Sequence, residues 1–144
     1  MSSSSPSSAP APAPASAHAD RLAAAAAAAA DAGIDALLVT PGADLRYLVG
    51  YDALPLERLT CLVVPATGEP TLVVPLLERS AAVASGAESC VAIATHGETD
   101  DAFDLVARLI GDAIGGQPGV IAVADRMWAE QVLRFRSVLP KSTQ

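Results

Sequence analysis

Gly33-Ile34-Asp35-Ala36-Leu37-Leu38-Val39-Thr40, followed across Pro41-Gly42 by Asp44-Leu45-Arg46-Tyr47-Leu48-Val49-Gly50-Tyr51, is the stretch whose reading decides the fold. Residues 36–40, four apolar residues closed by Thr40, read as a strand buried on both faces. Pro41-Gly42 breaks it, because proline lacks a donor and glycine opens dihedrals closed to other residues. Over residues 43–49 the apolar Leu45, Leu48 and Val49 recur at helical spacing, which predicts a short helix ended by Gly50.

Upstream lies an alanine-rich segment. Alanine loses no side-chain entropy in a helix, so residues 21–32 are predicted helical, with Asp20 as the N-cap and Gly33 as the stop. Residues 1–19 are Ser, Pro and Ala with one His and no charged side chain. They cannot bury enough apolar surface to offset ordering entropy and are read as a disordered tail, with one domain over residues 20–140.

Downstream, residues 59–65 and 71–75 are apolar runs joined by Ala66-Thr67-Gly68-Glu69-Pro70, the pattern of a β-hairpin. Pro65 and Pro75 stand at strand ends, where a missing donor does little harm. Residues 76–84 read as a helix and 88–94 as a strand. Thr99 is the expected N-cap of a helix carrying Phe103, Val106, Leu109 and Ile110 on one face and ending near Gly111. Residues 120–123 read as a buried strand and 126–138 as a last helix. Strands alternating with helices around one hairpin predict an α/β fold, a mixed β-sheet flanked by helices in three layers.

The formal net charge of −7 disfavours polyanionic partners, and no Lys/Arg cluster interleaved with aromatics offers a nucleic-acid footprint. Arg126, Arg134 and Arg136 read as a solvated helix face. The apolar run at residues 22–30 falls well short of the roughly 18 residues a membrane span needs. Cys61 and Cys90 lie inside apolar runs and read as small core hydrophobes, in keeping with a reducing cytoplasm.

Candidate chemistry is sparse. His18 and His96 are the only histidines, and no HExxH pattern occurs. Glu98, Asp100, Asp101 and Asp104 lack the alternation and central glycine of an EF-hand loop and read as helix capping and surface charge. No G-x-S-x-G elbow is present. Gly111-Asp112-Ala113-Ile114-Gly115-Gly116 follows a helix instead of linking strand to helix, so it fails as a phosphate loop. No catalytic residue and no metal ligand is assigned. The segment from Tyr47 to Arg58 gathers polar-capable side chains around a glycine and a proline, between a helix and a hairpin. Arg58 there is suited to clamp a carboxylate, or to pair with Glu57 or Asp52.

The order of these features resembles the amino-terminal domain of the creatinase, prolidase and aminopeptidase P family. The resemblance spans residues 20–139. Asp44-Leu45-Arg46-Tyr47-Leu48-Val49-Gly50-Tyr51 is similar to the family's Asn-x-x-Tyr-Leu-(Thr/Ser)-Gly-(Phe/Tyr) pattern, with Asp44 for Asn and Val49 for Thr or Ser. Gly68-Glu69-Pro70, Val74-Pro75-Leu76-Leu77-Glu78 and the passage from Ile121 to Trp128 follow in family order. The resemblance implies a creatinase-type amino-terminal fold. It also implies a catalytic pita-bread domain outside this chain, holding two divalent metal ions (Mn, Co or Zn) in the Xaa-Pro peptidases and none in creatinase. This chain would then be an accessory domain, not catalytic alone, partnered by a catalytic domain or by its own copies. Tyr51 and Arg58 become the candidates to border a substrate. The alternative is a non-catalytic module that kept the fold and binds a small ligand or a protein through the same segment.

Overall fold

β1 (Ala36–Val39) is hydrogen-bonded on both sides and buried on both faces, and the rest of the chain is arranged around it. In a computed structural model, which describes residues 13–139, it follows α1 (Ala15–Asp31) and precedes α2 (Ala43–Val49). The hairpin β2 (Cys61–Pro65) and β3 (Thr71–Pro75), α3 (Arg79–Ala84), β4 (Ala92–His96), α4 (Ala102–Ile114), β5 (Ile121–Val123) and α5 (Ala129–Val138) complete the chain. Single 3-10 turns occupy Leu76–Glu78 and Ala87–Ser89.

The five strands lie in the order β4-β3-β2-β1-β5. β1 runs antiparallel to β2, with Leu38 opposite Val63, and parallel to β5, with Leu38 opposite Val123. β3 is antiparallel to β2 and parallel to β4. Asp35 fixes the entrance to β1. Its carboxylate accepts from the amides of Gly119 and Val120, and its backbone N–H donates to Val120 O at 2.8 Å. The mixed sheet flanked by helices that the sequence predicts is therefore the fold.

Alternation along the strands divides the core in two. Ala36, Leu38, Cys61, Val63 and Val73 face α4 and α5, meeting Phe103, Val106, Ile110 and Phe135. Val39, Leu62, Val64, Leu72 and Val74 face α1, α2 and α3, meeting Leu22, Leu45, Val49 and Ala82. Burial on both faces is why the hairpin strands read as continuous apolar runs.

Several boundaries differ from the sequence reading. α1 begins at Ala15, so residues 15–19 are helix and Asp20 is no cap; residues 1–12 of the expected tail lie outside the described residues. The earlier start is held by a tertiary contact. His18 is buried, with Nδ1 3.1 Å from Tyr47 O, and Arg21 donates to the same carbonyl at 2.9 Å. That carbonyl belongs to the last turn of α2, where intrahelical partners run out. Gly50 ends α2 at φ +77°, a conformation that favours glycine, and a Cβ there would press on His18 Nε2 at 3.1 Å.

α4 is capped by Asp101 instead of Thr99. Asp101 Oδ1 accepts from the amides of Phe103 and Asp104, while Asp100 turns back to the Gly97 amide at 2.7 Å. The same helix passes through Gly111 and ends at Gly115, in the left-handed region at φ +74°. β4 is displaced from residues 88–94 to Ala92–His96, because a turn starting at Gly86 uses residues 87–90. Residues 76–84 divide into a 3-10 turn and α3, and α5 starts at Ala129, not 126.

Phe135 is 1% exposed and meets Phe103 edge-to-face at 4.7 Å between centroids. Removing it leaves a cavity under both α4 and α5. Phe135→Ala is expected to lower the stability read from urea denaturation by about 3–5 kcal/mol.

Candidate functional site

The carboxyl end of β4 carries His96 to the edge of a polar cleft of about 140 Å³. His96 is buried, and its Nε2 donates to Leu59 O at 2.8 Å, tying the end of β4 to the segment that leads into β2. Two residues on, Glu98 accepts from the Arg58 guanidinium at 2.6 Å. Arg134 reaches the same cleft from α5, its guanidinium 4.2 Å from the centre of the Phe103 ring and 3.9 Å from Asp101 Oδ1. Local sequence concealed both partnerships. Arg58 and Glu98 are forty positions apart, so neither Glu57 nor Asp52 is the partner; Asp52 pairs with Arg46 at 3.6 Å. Arg134 stays on the exposed face that the sequence predicts for it with Arg126 and Arg136, and there lies over the Phe103 ring, whose face attracts a cation. A phenylalanine at the first turn of α4 facing an arginine on α5 was the available signal.

The acidic cluster is occupied with structural work. Glu98 holds Arg58, Asp100 closes the turn, Asp101 caps α4, and Asp104 pairs with Arg108 at 3.3 Å one turn along. Among the described residues no three His, Cys, Asp or Glu side chains converge as metal ligands. Cys61 is fully buried, and burial pushes its thiol up to about 12, so the group stays protonated and inert at neutral pH. The polar cleft therefore offers recognition: an arginine that is accessible, yet oriented by a carboxylate.

Arg58 also borders a second groove, of about 370 Å³, together with Leu56, Pro75, Leu77 and Glu78. Leu56 and Leu77 in this groove are 48% and 78% exposed, and Leu54 and Leu76, close by in sequence, are 73% and 58% exposed. Tyr51 stands differently from Arg58. It is 5% exposed and packs in the core cluster beneath α1 and α2. Its link to the groove is electrostatic: burial raises its pKa above the ordinary 10.0, and the Glu78 carboxylate raises it further. Among the described residues no helix is long and apolar enough to cross a membrane.

Because the neutral phenol is favoured in the folded state, the contribution of Tyr51 is intact below pH 10.0 and is lost as pH climbs through the raised folded value. Tyr51→Phe cannot ionise. Its stability, followed by denaturant titration, is expected to fall less steeply above pH 10.0 than that of the parent chain.

Comparison with known proteins fits this geometry. The family model described as Creatinase/Prolidase N-terminal domain matches residues 21–143. The probable dipeptidases PepE of Mycobacterium tuberculosis and Mycobacterium bovis are each 44% identical over 110 residues, which is 76% of this chain and 28% of theirs. The crystal structure of dipeptidase PepE from Mycobacterium ulcerans superposes with a TM-score of 0.78 at 42% identity, covering 88% of this chain and 33% of that one. The N-terminal domain of an Xaa-Pro dipeptidase from Lactobacillus brevis shares the fold, with a TM-score of 0.76 at 15% identity over 85% of this chain and 90% of that one. The chain thus spans about a third or less of the full-length relatives it matches. The family model matches most of the chain, and the chain belongs to the creatinase/prolidase N-terminal domain family.

Proposed function

We propose that this chain is the accessory, substrate-bordering domain of an Xaa-Pro dipeptidase-like metallohydrolase and has no hydrolytic activity alone. The observation that carries the reading is coverage: the similarity to PepE dipeptidases is high, yet it reaches only 28% of their length. Two divalent metal ions, Mn, Co or Zn, would activate water in the part of such an enzyme that this chain does not span. The described residues supply no ligand set for them.

What this chain contributes is orientation. Arg58 presents a guanidinium to a substrate carboxylate while Glu98 holds it in place. Tyr51 acts from within the core, fixing the start of the loop that carries Arg58. The exposed leucines beside Arg58 form the face that meets a catalytic domain or a second copy. The two cysteines are free, which supports a reducing, cytoplasmic setting.

The test joins the chain to a catalytic partner. Residues 21–143 replace the matching segment of the Mycobacterium ulcerans PepE dipeptidase. The chimera should cleave Xaa-Pro dipeptides with Mn²⁺, and Arg58→Ala in it should raise KM about tenfold with kcat little changed, the mark of lost uniform binding. The isolated chain should release no proline under the same conditions. Cleavage by the isolated chain, or a KM indifferent to Arg58, would overturn the reading.

A further inference from the structure

β1 and β5 are parallel neighbours, and the chain leaves them toward opposite faces of the sheet. Thr40-Pro41-Gly42 leads from β1 to α2, whose Leu45, Leu48 and Val49 belong to one half of the core. Ala124-Asp125-Arg126 leads from β5 toward α5, whose Phe135 belongs to the other. Connections that diverge at the carboxyl ends of adjacent parallel strands open a crevice between them, and open α/β sheets bind ligands in such crevices. Here the crevice measures about 180 Å³ and is lined by both connections. It adjoins an apolar space of about 250 Å³ over the same two strands; Asp44 and Ala124 line both, and Leu37, Val39, Leu48 and Val123 supply the apolar wall. Together the two spaces reach the size of small-ligand sites, roughly 300–1,000 Å³.

Among the described residues the charged groups around this crevice are unpaired, unlike Arg58 and Glu98. Asp44, Asp125 and Arg126 line it, and none makes an ion pair or side-chain hydrogen bond to another described residue. Thr40 also lines it and is 7% exposed. Its hydroxyl has no hydrogen-bond partner among the described residues, yet no such buried oxygen is sealed from the surface. It therefore opens onto the crevice, where a ligand's polar group could reach it.

From this arrangement we infer a second binding site, separate from the Arg58 cleft, for a free α-amino acid with an apolar side chain. Two carboxylates, Asp44 and Asp125, suit an ammonium group. Arg126 suits a carboxylate through paired N–H donors. Thr40 supplies an uncharged hydrogen bond, and the apolar wall takes the side chain, whose burial supplies the non-polar part of the affinity. A simple anion would meet two repelling carboxylates, and a simple cation would leave Arg126 and the apolar wall without a role.

The experiment uses the 144-residue chain and L-leucine as the probe, with isothermal titration and amide chemical-shift mapping. Leucine should bind saturably and shift the amides of Thr40, Gly42, Ala43, Asp44 and residues 124–126. 4-Methylpentanoate, which lacks the ammonium, and isoamylamine, which lacks the carboxylate, should each bind about tenfold more weakly. Asp125→Asn and Arg126→Gln should weaken leucine about tenfold while leaving the circular dichroism spectrum unchanged, since both side chains are exposed. Arg58→Ala should bind leucine as the parent does, which separates this site from the proposed substrate-bordering one. Absence of saturable binding, or binding indifferent to both Asp125→Asn and Arg126→Gln, would overturn the inference.

Discussion

β1 has no free side. Its four residues exchange ladder hydrogen bonds with β2 on one edge and β5 on the other, and its two faces are covered by different sets of helices. A strand in that position tolerates no polar side chain and no register error, because a slip of one residue would exchange the contents of the two half-cores. Asp35 enforces the register from outside the strand. Its carboxylate grips the amides that lead into β5, and its carbonyl accepts from Ala66 at 2.8 Å just beyond β2. Everything that gives this domain a surface of interest hangs from that arrangement. The two connections that leave β1 and β5 diverge because those strands are parallel, and the hairpin places Arg58 near His96 because β2 and β3 carry the chain across the sheet toward β4.

A second constraint acts where α1 meets α2. The Tyr47 carbonyl lies near the end of α2 and receives two donors from α1, His18 and Arg21, while the Arg21 guanidinium also lies 4.2 Å from the centre of the Tyr47 ring. A helix built largely of alanine has little side-chain surface with which to dock. These two polar residues, with Leu22, give it a definite address on the sheet. They also explain why helix continues toward the amino terminus past Asp20: the contact rewards order in residues whose composition alone argues against it.

The parts of the fold legible in sequence are those where local pattern and tertiary environment agree. The hairpin and β1 were legible because strands buried on both faces must be apolar throughout, and Pro41-Gly42 and Gly68-Glu69-Pro70 punctuate them. The start of α1 was not legible, because its cause is His18 meeting a carbonyl twenty-nine positions away. The cap of α4 turned on a competition among Thr99, Asp100 and Asp101. It was settled when the Gly97 amide engaged Asp100 and left Asp101 to the helix, a choice no local rule distinguishes. In the candidate site, Arg58 was legible as a residue of interest and Glu98 as a charge, but their pairing depends on the crossing from β2 to β4. Tyr51 was read as polar and loop-borne; its ring is in the core, and only its response to Glu78 connects it to the surface.

The charges of this domain fall into two populations, and the division bears on function. Arg46, Arg58, Arg108 and Arg134 each face a carboxylate within 4 Å, and those carboxylates are thereby committed. Exposed pairs of this kind add little stability, usually under about 1 kcal/mol. Their effect is to orient a guanidinium, which the role proposed for Arg58 requires. At the ends of β1 and β5 the opposite holds: Asp44, Asp125 and Arg126 share one crevice without engaging another described residue. The second population suits the small zwitterion proposed above, on connections that leave two adjacent parallel strands.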